Sequence, residues 1–399
     1  MLEKYDLIIL GAGITGLSVA REAIQTNSDC KILVIEKERK IGMHGSGRNS
    51  GVLHSGIYYP TNTLKAKFCA EGSALMVDYC KERNLPVTRC GKVILPVTTK
   101  DESQIDLLYA RGIKNGASVK IISREELKEI EPEASTVAQK SLYSPNTSVV
   151  DPHIILSKIK AELKENGVTI LFNEKVVLAD PDLSTIKTSK NNSFKYGQLI
   201  NCTGQYSDVV SKVFNVGEKY TLLPFKGLYY GLHKNSNIRL NGLIYPVPDL
   251  NVPFLGIHSV KLVDGNVYFG PTAVPAFGRE HYQGFKGVNI KDATSISYHL
   301  LRQYISNKQG FRSYTHQEMH RFLKSEFLKS MQKLIPKLSN SDLVVSEKAG
   351  IRAQLLDTKS NELVMDFLVE RVDNTTHVLN AVSPAFTSAF SFAKYILNK

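Results

Sequence analysis

The fold is decided by one stretch near the start of the chain, Tyr5-Asp6-Leu7-Ile8-Ile9-Leu10 followed by Gly11-Ala12-Gly13-Ile14-Thr15-Gly16. Its nearly continuous apolar run predicts a strand buried on both faces, as in a parallel sheet. Residues 14–25 have helical spacing, and residues 31–35 form a second apolar run. Strand, glycine turn, helix and strand together predict a right-handed βαβ unit.

The glycines of this turn fill the frame GxGxxG between a strand and a helix. Gly11 allows a tight turn, Gly13 lets backbone approach a pyrophosphate, and Gly16 lets helix and strand pack closely. The helix N-terminus offers N–H groups and a positive dipole to phosphates. Glu36 ends the second strand, where a carboxylate can bind ribose hydroxyls and disfavours the 2′-phosphate of NADP. The frame predicts dinucleotide binding without separating FAD from NAD; its position at the N-terminus and the loop after Glu36 favour FAD.

The rest of the chain alternates between two kinds of pattern. A Gly/Ser/His/Asn-rich segment at 41–59 predicts a functional loop. Further predicted helices cover 64–83, a capping-box start at Ser123, 153–166, 293–306, 318–335 and 385–397. Further predicted strands cover 168–172, 196–201, several short runs in 222–273, and runs near 343–345, 363–369 and 377–379.

These patterns predict an α/β protein with a Rossmann-like FAD-binding domain and an inserted mixed α+β substrate domain containing a largely antiparallel sheet. We expect the FAD-binding domain to be discontinuous, over 1–85, 145–215 and 340–399. The substrate domain would then take 86–144 and 216–339.

Composition limits the classes of function. The net charge of +12 is spread along the chain without an arginine-rich run, so we expect a solvated basic surface and no nucleic-acid partner. The five cysteines have no zinc-binding spacing, which favours a reducing compartment, the cytoplasm, and no metal. We also expect no signal peptide, transit segment or membrane span.

The loop His44 to Tyr59, with the letters HGSGRNSGVLHSGIYY, resembles the flavin loop of L-2-hydroxyglutarate oxidases and dehydrogenases, members of the D-amino-acid-oxidase-like superfamily. Similar segments follow at 64–69, 245–249, 254–258, 270–274, 350–354 and 380–385. The resemblance implies FAD and oxidation of L-2-hydroxyglutarate, or a close 2-hydroxy acid, by hydride transfer to flavin N5. Departures at Lys226-Gly227-Leu228 and Ser259-Val260 leave the exact substrate open.

The resemblance and the glycine frame together give the candidate cofactor contacts. They are Gly11, Gly13, Ile14, Thr15, Gly16, Glu36, Lys37, Ser46, Arg48, Asn49, Ser50, Gly51, Val176, Thr203, Gly204, Gly350, Ile351, Ser383, Pro384 and Ala385. Among them, Ser383-Pro384-Ala385 is expected to wrap the edge of the flavin ring.

Five residues are candidates for substrate chemistry. Arg352 lies in a Gly-Ile-Arg context that the resemblance assigns to a carboxylate clamp, with a buried structural ion pair as the alternative. His54 is the candidate general base and His258 the second, each against a purely structural role. Tyr59, like its neighbour Tyr58, could offer its phenol or simply pack, and Lys226 could meet the distal carboxylate of a diacid.

Several functional alternatives stay open at this point. An amine or amino-acid oxidase of the same superfamily is one, and a non-enzymatic flavin-binding or RNA-associated module is another. Oxygen or a quinone could accept the electrons. The predicted helix 318–335 is basic and amphipathic, so it could lie on a membrane surface or pack on the protein's own core.

Overall fold

The computed structural model describes residues 2–398. Its helices are α1 (Ile14–Thr26), α2 (Leu64–Glu82), α3 (Glu102–Lys114), α4 (Arg124–Ile130), α5 (Pro152–Glu165), α6 (Ser207–Lys212), α7 (Ile290–Ser306), α8 (Phe311–Arg321), α9 (Lys324–Gln332) and α10 (Ala385–Asn398). Its strands are β1 (Glu3–Leu10), β2 (Ile32–Ile35), β3 (Val52–Leu53), β4 (Val87–Arg89), β5 (Lys92–Leu95), β6 (Lys120–Ser123), β7 (Lys140–Ser144), β8 (Ser148–Val150), β9 (Thr169–Leu171), β10 (Val176–Asp180), β11 (Thr185–Thr188), β12 (Ser193–Asn201), β13 (Tyr220–Leu232), β14 (Leu243–Pro246), β15 (His258–Lys261), β16 (Val267–Gly270), β17 (Val274–Pro275), β18 (Leu343–Asp357), β19 (Glu362–Leu363), β20 (Leu368–Val372) and β21 (Thr375–Asn380).

The described chain divides into two compact, interleaved units. Unit 1 comprises the chain up to Asn49, Pro152–Pro224 and the chain from Arg352, and unit 2 comprises Ser50–Asp151 and Phe225–Ile351. The interleaving resembles the expected discontinuous arrangement. The bounds differ from the expected ones mainly because 50–85 lies with unit 2.

Unit 1 is built on the predicted βαβ unit. Strand β1 pairs in parallel with β2 on one side and with β12 on the other, and the sheet order is β10-β11-β12-β1-β2-β9. Residues of β1 are buried on both faces, among them Ile8 and Ile9, as the continuous apolar run predicts. Helices α5 and α10 pack against α1. The predicted Rossmann-like α/β fold class is confirmed.

Unit 2 contains mixed sheets. Antiparallel pairs join β13 to β16 and to β17, and β15 to β16, as expected for 222–273. A separate sheet has the order β14-β5-β7-β6 and contains one parallel pair, β14 with β5. Strand β5 therefore has a hydrogen-bonded neighbour on each side, which fixes the position of its residues.

The prediction of one helix over 318–335 is wrong. Helix α8 ends at Arg321 and α9 begins at Lys324, because Leu323 is extended with ψ 127°. The apolar residues Phe327, Met331 and Leu334 lie in the core of unit 2 rather than on its surface. The long run β18 also exceeds the predicted 343–345, and 363–369 is divided between β19 and β20. Within residues 2–398, no helix is both long and apolar enough to cross a membrane.

Candidate active site

The glycine turn after β1 has the geometry that its sequence requires. Gly11 has φ +100°, and a Cβ there would lie 2.6 Å from the Cys202 carbonyl oxygen. A Cβ on Gly16 would lie 2.0 Å from the Gly11 carbonyl oxygen, so only glycine lets α1 approach β1 this closely. At Gly13 the added atom would meet the hydroxyl of Ser46 at 2.9 Å. The three glycines therefore bring no side chain of their own into the turn, as a phosphate-binding turn needs, and the side chain that reaches it is the short Ser46.

Glu36 is held beside this turn. Its carboxylate accepts hydrogen bonds from the backbone N–H of Ala12 at 2.8 Å and of Glu38 at 2.9 Å. These two bonds fix the orientation of the carboxylate at the carboxyl end of β2. The next residue, Lys37, places its ammonium 4.9 Å from the centre of the Tyr206 ring.

The start of the loop 41–51 is ordered by hydrogen bonds within unit 1. The hydroxyl of Ser46 accepts from the N–H of Ile14, the first residue of α1, at 2.9 Å. Arg48 donates through Nε to the Met43 carbonyl at 2.8 Å, and Asn49 donates through Nδ2 to the Ser46 carbonyl at 2.7 Å. The structure thus brings Ser46 to the glycine turn and shows how its two neighbours shape the loop.

A buried asparagine that the sequence analysis missed shapes the end of β12. Asn201 accepts through Oδ1 from the hydroxyl of Thr203 at 2.6 Å and from its backbone N–H at 3.1 Å. Asn201 itself is fully buried, and its Nδ2 donates to the Ser207 carbonyl. A polar residue ending an apolar strand, beside the glycine turn of a parallel neighbour, was the available signal.

The remaining cofactor candidates lie in different places. Val176 begins the edge strand β10, where it pairs with Thr188. Ser383 and Pro384 are joined by a cis peptide bond directly before α10, which starts at Ala385. Thr15 is the second residue of α1 and Gly204 follows Thr203, both in unit 1, whereas Ser50, Gly51, Gly350 and Ile351 belong to unit 2.

The five candidates for substrate chemistry are divided between the units. Arg352 is in unit 1, half-buried on β18, and the other four are in unit 2. His54 is buried, and its carbonyl accepts from the Cys69 thiol at 3.3 Å. Tyr59 is half-buried, with the Lys65 ammonium 5.8 Å from its ring centre. Lys226 is half-buried on β13, and partial burial lowers its pKa.

His258 has a defined tautomer. Its Nδ1 lies 2.8 Å from the Gly256 carbonyl oxygen, which can only accept, so Nδ1 carries the proton. The neutral ring then has its lone pair on Nε2. The ring also stacks on Tyr245, with centroids 3.8 Å apart and planes 19° apart.

A buried lysine cluster in unit 2 escaped the sequence analysis. Lys92 is fully buried, and its ammonium lies 4.8 Å from the ring centre of Tyr58 and 5.2 Å from that of Tyr245. Burial lowers the pKa of Lys92 to about 8 and raises the pKa of both phenols well above their usual value. We call Lys92, Tyr58 and Tyr245 the lysine cluster.

Comparisons with known proteins extend over nearly the whole chain. A family model described as FAD dependent oxidoreductase, DAO, matches residues 6–398. An L-2-hydroxyglutarate dehydrogenase from Indibacter alkaliphilus is 37% identical over 97% of this chain and 96% of its own length. The mitochondrial enzyme of that name from Homo sapiens is 34% identical over 99% of this chain and 88% of its own length. The enzyme of that name from Escherichia coli K12 is 32% identical, covering 99% of this chain and 93% of its own length.

Solved structures share the fold at lower sequence identity. An L-alpha-glycerophosphate oxidase from Mycoplasma pneumoniae, solved with FAD bound, has a TM-score of 0.79 at 21% identity, covering 100% of this chain and 94% of its own. A glycine oxidase from Geobacillus kaustophilus has a TM-score of 0.72 at 14% identity, covering 99% and 94%. The same architecture therefore occurs in an L-alpha-glycerophosphate oxidase and in a glycine oxidase, so the fold alone does not select the substrate.

Proposed function

Because the chain belongs to the FAD-dependent oxidoreductase family DAO, we propose that it oxidises L-2-hydroxyglutarate, or a close 2-hydroxy acid, to the 2-oxo acid. The observation that carries this proposal is similarity to enzymes named L-2-hydroxyglutarate dehydrogenase, at 32% to 37% identity over at least 97% of the chain. FAD is the cofactor and supplies the hydride acceptor.

The residues around the glycine turn fit the cofactor. A turn with glycine at positions 11, 13 and 16 suits a pyrophosphate, and the oriented Glu36 carboxylate suits a ribose. Ser46, Arg48 and Asn49 would hold the loop that borders this site, as their hydrogen bonds suggest.

Arg352 is the proposed clamp for the carboxylate beside the reacting carbon. A guanidinium forms a planar, bidentate pair with a carboxylate and fixes its angle. Replacing Arg352 by Leu should weaken binding and slow reduction by the substrate while FAD stays bound. Rapid-mixing kinetics measure this, and unchanged kinetics would remove Arg352 from the substrate site.

A histidine of unit 2 is the proposed acceptor of the hydroxyl proton. His54 and His258 are both candidates, and each is buried. The bond from Nδ1 of His258 to Gly256 supports His258, because a neutral ring that donates from Nδ1 has its basic nitrogen at Nε2. For His54 the support is its position in the loop that resembles a flavin loop. A pH profile of flavin reduction that changes in only one of His54→Ala and His258→Ala would assign the base.

Tyr59 and Lys226 remain candidates for secondary contacts. The phenol of Tyr59 could donate to a substrate oxygen, and the ammonium of Lys226 could pair with a second carboxylate. Partial burial lowers the pKa of Lys226, and an anion beside the ammonium would favour its charged form.

Oxygen or a quinone is the proposed electron acceptor, in the cytoplasm or on the inner face of its membrane. A peripheral contact is supported by α7 rather than by α9. Ile290 is 85% exposed, Leu301 58% and Ile305 65%, and Lys291 and Arg302 lie on the same helix. Flotation of the FAD-loaded protein with anionic vesicles tests the contact, and a protein that stays with the dense fraction argues against it.

The function is tested by anaerobic bleaching of the flavin. We expect L-2-hydroxyglutarate to reduce the bound FAD and amino acids of similar size to leave it oxidised. Reduction by amino acids alone would replace the proposal with an amine oxidase. A purified protein without flavin absorbance would contradict both enzymes.

A further inference from the structure

Lys92 is held in place by its strand. It begins β5, where its backbone lies opposite Leu243 of β14 on one side and opposite Ser144 of β7 on the other. Residues two apart on a strand point to the same face, so Lys92 shares its face with Ile94, which lies opposite Tyr245. That face belongs to an apolar core with Ile94, Leu243 and Tyr245. A lysine with a fixed backbone therefore projects into a hydrophobic interior.

Three polar atoms of the lysine cluster have no hydrogen-bond partner in the part of the chain that the structure describes. They are Nζ of Lys92 and the hydroxyl oxygens of Tyr58 and Tyr245. All three side chains are at most 5% exposed. The phenols are close enough that a charge on Tyr58 would raise the pKa of Tyr245. Several unsatisfied donors in one buried place indicate a missing acceptor.

Among the described residues, the two thiols that act on Lys92 do not supply that acceptor. The thiols of Cys69 and Cys90 act electrostatically on Lys92, but burial raises their pKa to about 12 and about 11, so both are neutral at pH 7. Attraction of the ammonium to two ring faces offsets only part of the cost of burying it. It also leaves the two phenol hydroxyls unexplained.

We propose that the lysine cluster binds a carboxylate group of a small organic acid. The ammonium supplies the charge, and the two phenol hydroxyls donate to the carboxylate oxygens. At neutral pH the lysine keeps its proton, since its pKa remains near 8, and an anion beside it would favour that proton further. Stacking of His258 on Tyr245 holds one of the two phenols in position.

The identity of the acid rests on the proposed function: the group is the carboxylate of the dicarboxylate substrate that lies away from the reacting carbon. Lys226 was the candidate for this role from sequence. It is only half-buried, whereas Lys92 is fully buried beside two phenols whose hydroxyls have no partner among the described residues. A fully buried ammonium also distinguishes more sharply between an acid with this carboxylate and one without it, because the unpaired charge stays costly.

Isothermal titration calorimetry of the FAD-loaded protein tests the site with two acids that lack the reacting hydroxyl, glutarate and butyrate. We expect the unchanged protein to bind glutarate at least about tenfold more tightly than butyrate. Lys92→Met should reduce that ratio to within about twofold, with butyrate affinity retained. The matched control is Lys261→Met, whose ammonium already donates to the Leu240 carbonyl at 2.9 Å and which should keep the ratio.

A Lys92→Met protein that keeps the full preference for glutarate overturns the proposal. Loss of the preference in Lys226→Met, but not in Lys92→Met, overturns it too. If Lys92→Met fails to fold, the double variant Tyr58→Phe and Tyr245→Phe removes only the two hydroxyls. An unchanged ratio of glutarate to butyrate affinity in that variant also overturns the proposal.

This result is separable from the proposed function. Calorimetry reports binding without reaction, while anaerobic bleaching reports the reaction. A protein that binds glutarate through Lys92 but is not reduced by any 2-hydroxy acid would retain the site and lose the function. If L-2-hydroxyglutarate reduces the flavin but Lys92→Met keeps its preference for glutarate, the proposed function is retained and the proposed site at Lys92 is lost.

Discussion

The glycine turn of unit 1 and the lysine cluster of unit 2 differ in whether their polar groups have hydrogen-bond partners. At the turn, the Glu36 carboxylate accepts two backbone hydrogen bonds, and Ser46 accepts from the first N–H of α1. In the cluster, the Lys92 ammonium and two phenol hydroxyls have no acceptor within residues 2–398. In the first region these polar groups are paired with backbone N–H groups, whereas the second carries an electrostatic cost that a bound anion would remove.

The contrast predicts opposite signs when each region is altered. Changes at the turn should lower stability and cofactor content together. Changes in the cluster should raise the stability of the unliganded protein while lowering its affinity for a dicarboxylate. A site that holds a buried, unpaired charge before its ligand binds is expected to lower stability in exchange for affinity.

Gly16→Ala should have the largest effect. The new Cβ would lie 2.0 Å from the Gly11 carbonyl oxygen and 3.2 Å from the Ile9 side chain, so α1 must move away from β1. We expect a loss of about 3 kcal/mol in the free energy of unfolding, with little FAD retained. Urea unfolding and the flavin absorbance measure the two. Gly45→Ala is the matched control, since a Cβ there meets nothing within 4 Å; equal behaviour of the two variants would contradict the packing role of Gly16.

Lys92→Met should stabilise the unliganded protein. Burial lowers the pKa of Lys92 from 10.5 to about 8, which corresponds to about 3 kcal/mol of cost for the charged form. The unfolded chain stays protonated up to its higher pKa, so the cost is complete below pH 8 and disappears as the pH rises towards 10.5. The stabilisation should therefore be largest at pH 7 and small at pH 10, as measured by urea unfolding.

Replacing a lysine at the protein surface is the control for the stabilisation expected in Lys92→Met. Lys219 forms an exposed ion pair with Asp357 at 3.2 Å. Lys219→Met should change stability little, because an exposed ion pair contributes weakly. If Lys92→Met destabilised the protein at pH 7, the ammonium would have an acceptor already, and the contrast between the two regions would fail.

His377 is a buried ionisable group of unit 1, and its burial makes the stability of the protein depend on pH. Its ring nitrogens contact Asn201 Nδ2 at 3.4 Å and Thr375 Oγ1 at 3.1 Å, and burial lowers its pKa from 6.5 to about 4. Below pH 6.5 the unfolded chain binds a proton at this histidine, whereas the folded chain binds it only near pH 4. The free energy of unfolding therefore decreases as the pH is lowered from 6.5 to about 4. At pH 5 the loss should be about 2 kcal/mol relative to pH 7.

His377→Gln should remove this acid dependence. Unfolding free energies at pH 7 and pH 5 would then differ by less than in the unchanged protein. His320→Gln, at an exposed position of α8, is the control and should leave the dependence as it was. An acid limb that persists in His377→Gln would show that other groups cause it.

The two regions also differ in how far the sequence could predict them. The glycine turn is local: its residues lie within one short segment, and their spacing alone predicts strand, turn and helix. The lysine cluster joins positions 58, 92 and 245, and only the register of β5 against β14 brings Lys92 and Tyr245 together. Nothing in the run Gly91-Lys92-Val93-Ile94-Leu95 distinguishes an inward lysine from one at the edge of a strand.

The wrong prediction of one helix over 318–335 also has its cause in contacts between distant parts of the chain. Helical spacing continues without a glycine or proline across Phe322 and Leu323, so the sequence contains no local stop signal there. The break depends on packing: Phe327 and Met331 are drawn into the core, while Phe322 is 66% exposed. Tertiary contacts, which a single sequence does not display, decided the outcome.

Removing one phenol hydroxyl gives the smallest and most selective test of the contrast. Tyr245→Phe takes away a buried hydroxyl without a partner among the described residues, so the unliganded protein should gain up to about 1 kcal/mol. Tyr5→Phe, in unit 1, takes away a hydroxyl that donates to the Glu3 carboxylate at 2.9 Å, and should cost about 0.5 kcal/mol. Saturating glutarate should reverse the order, since only Tyr245 would donate to the ligand. If Tyr245→Phe were destabilising without any acid present, the hydroxyl would already be satisfied, and the cluster would be a structural feature rather than a site waiting for an anion.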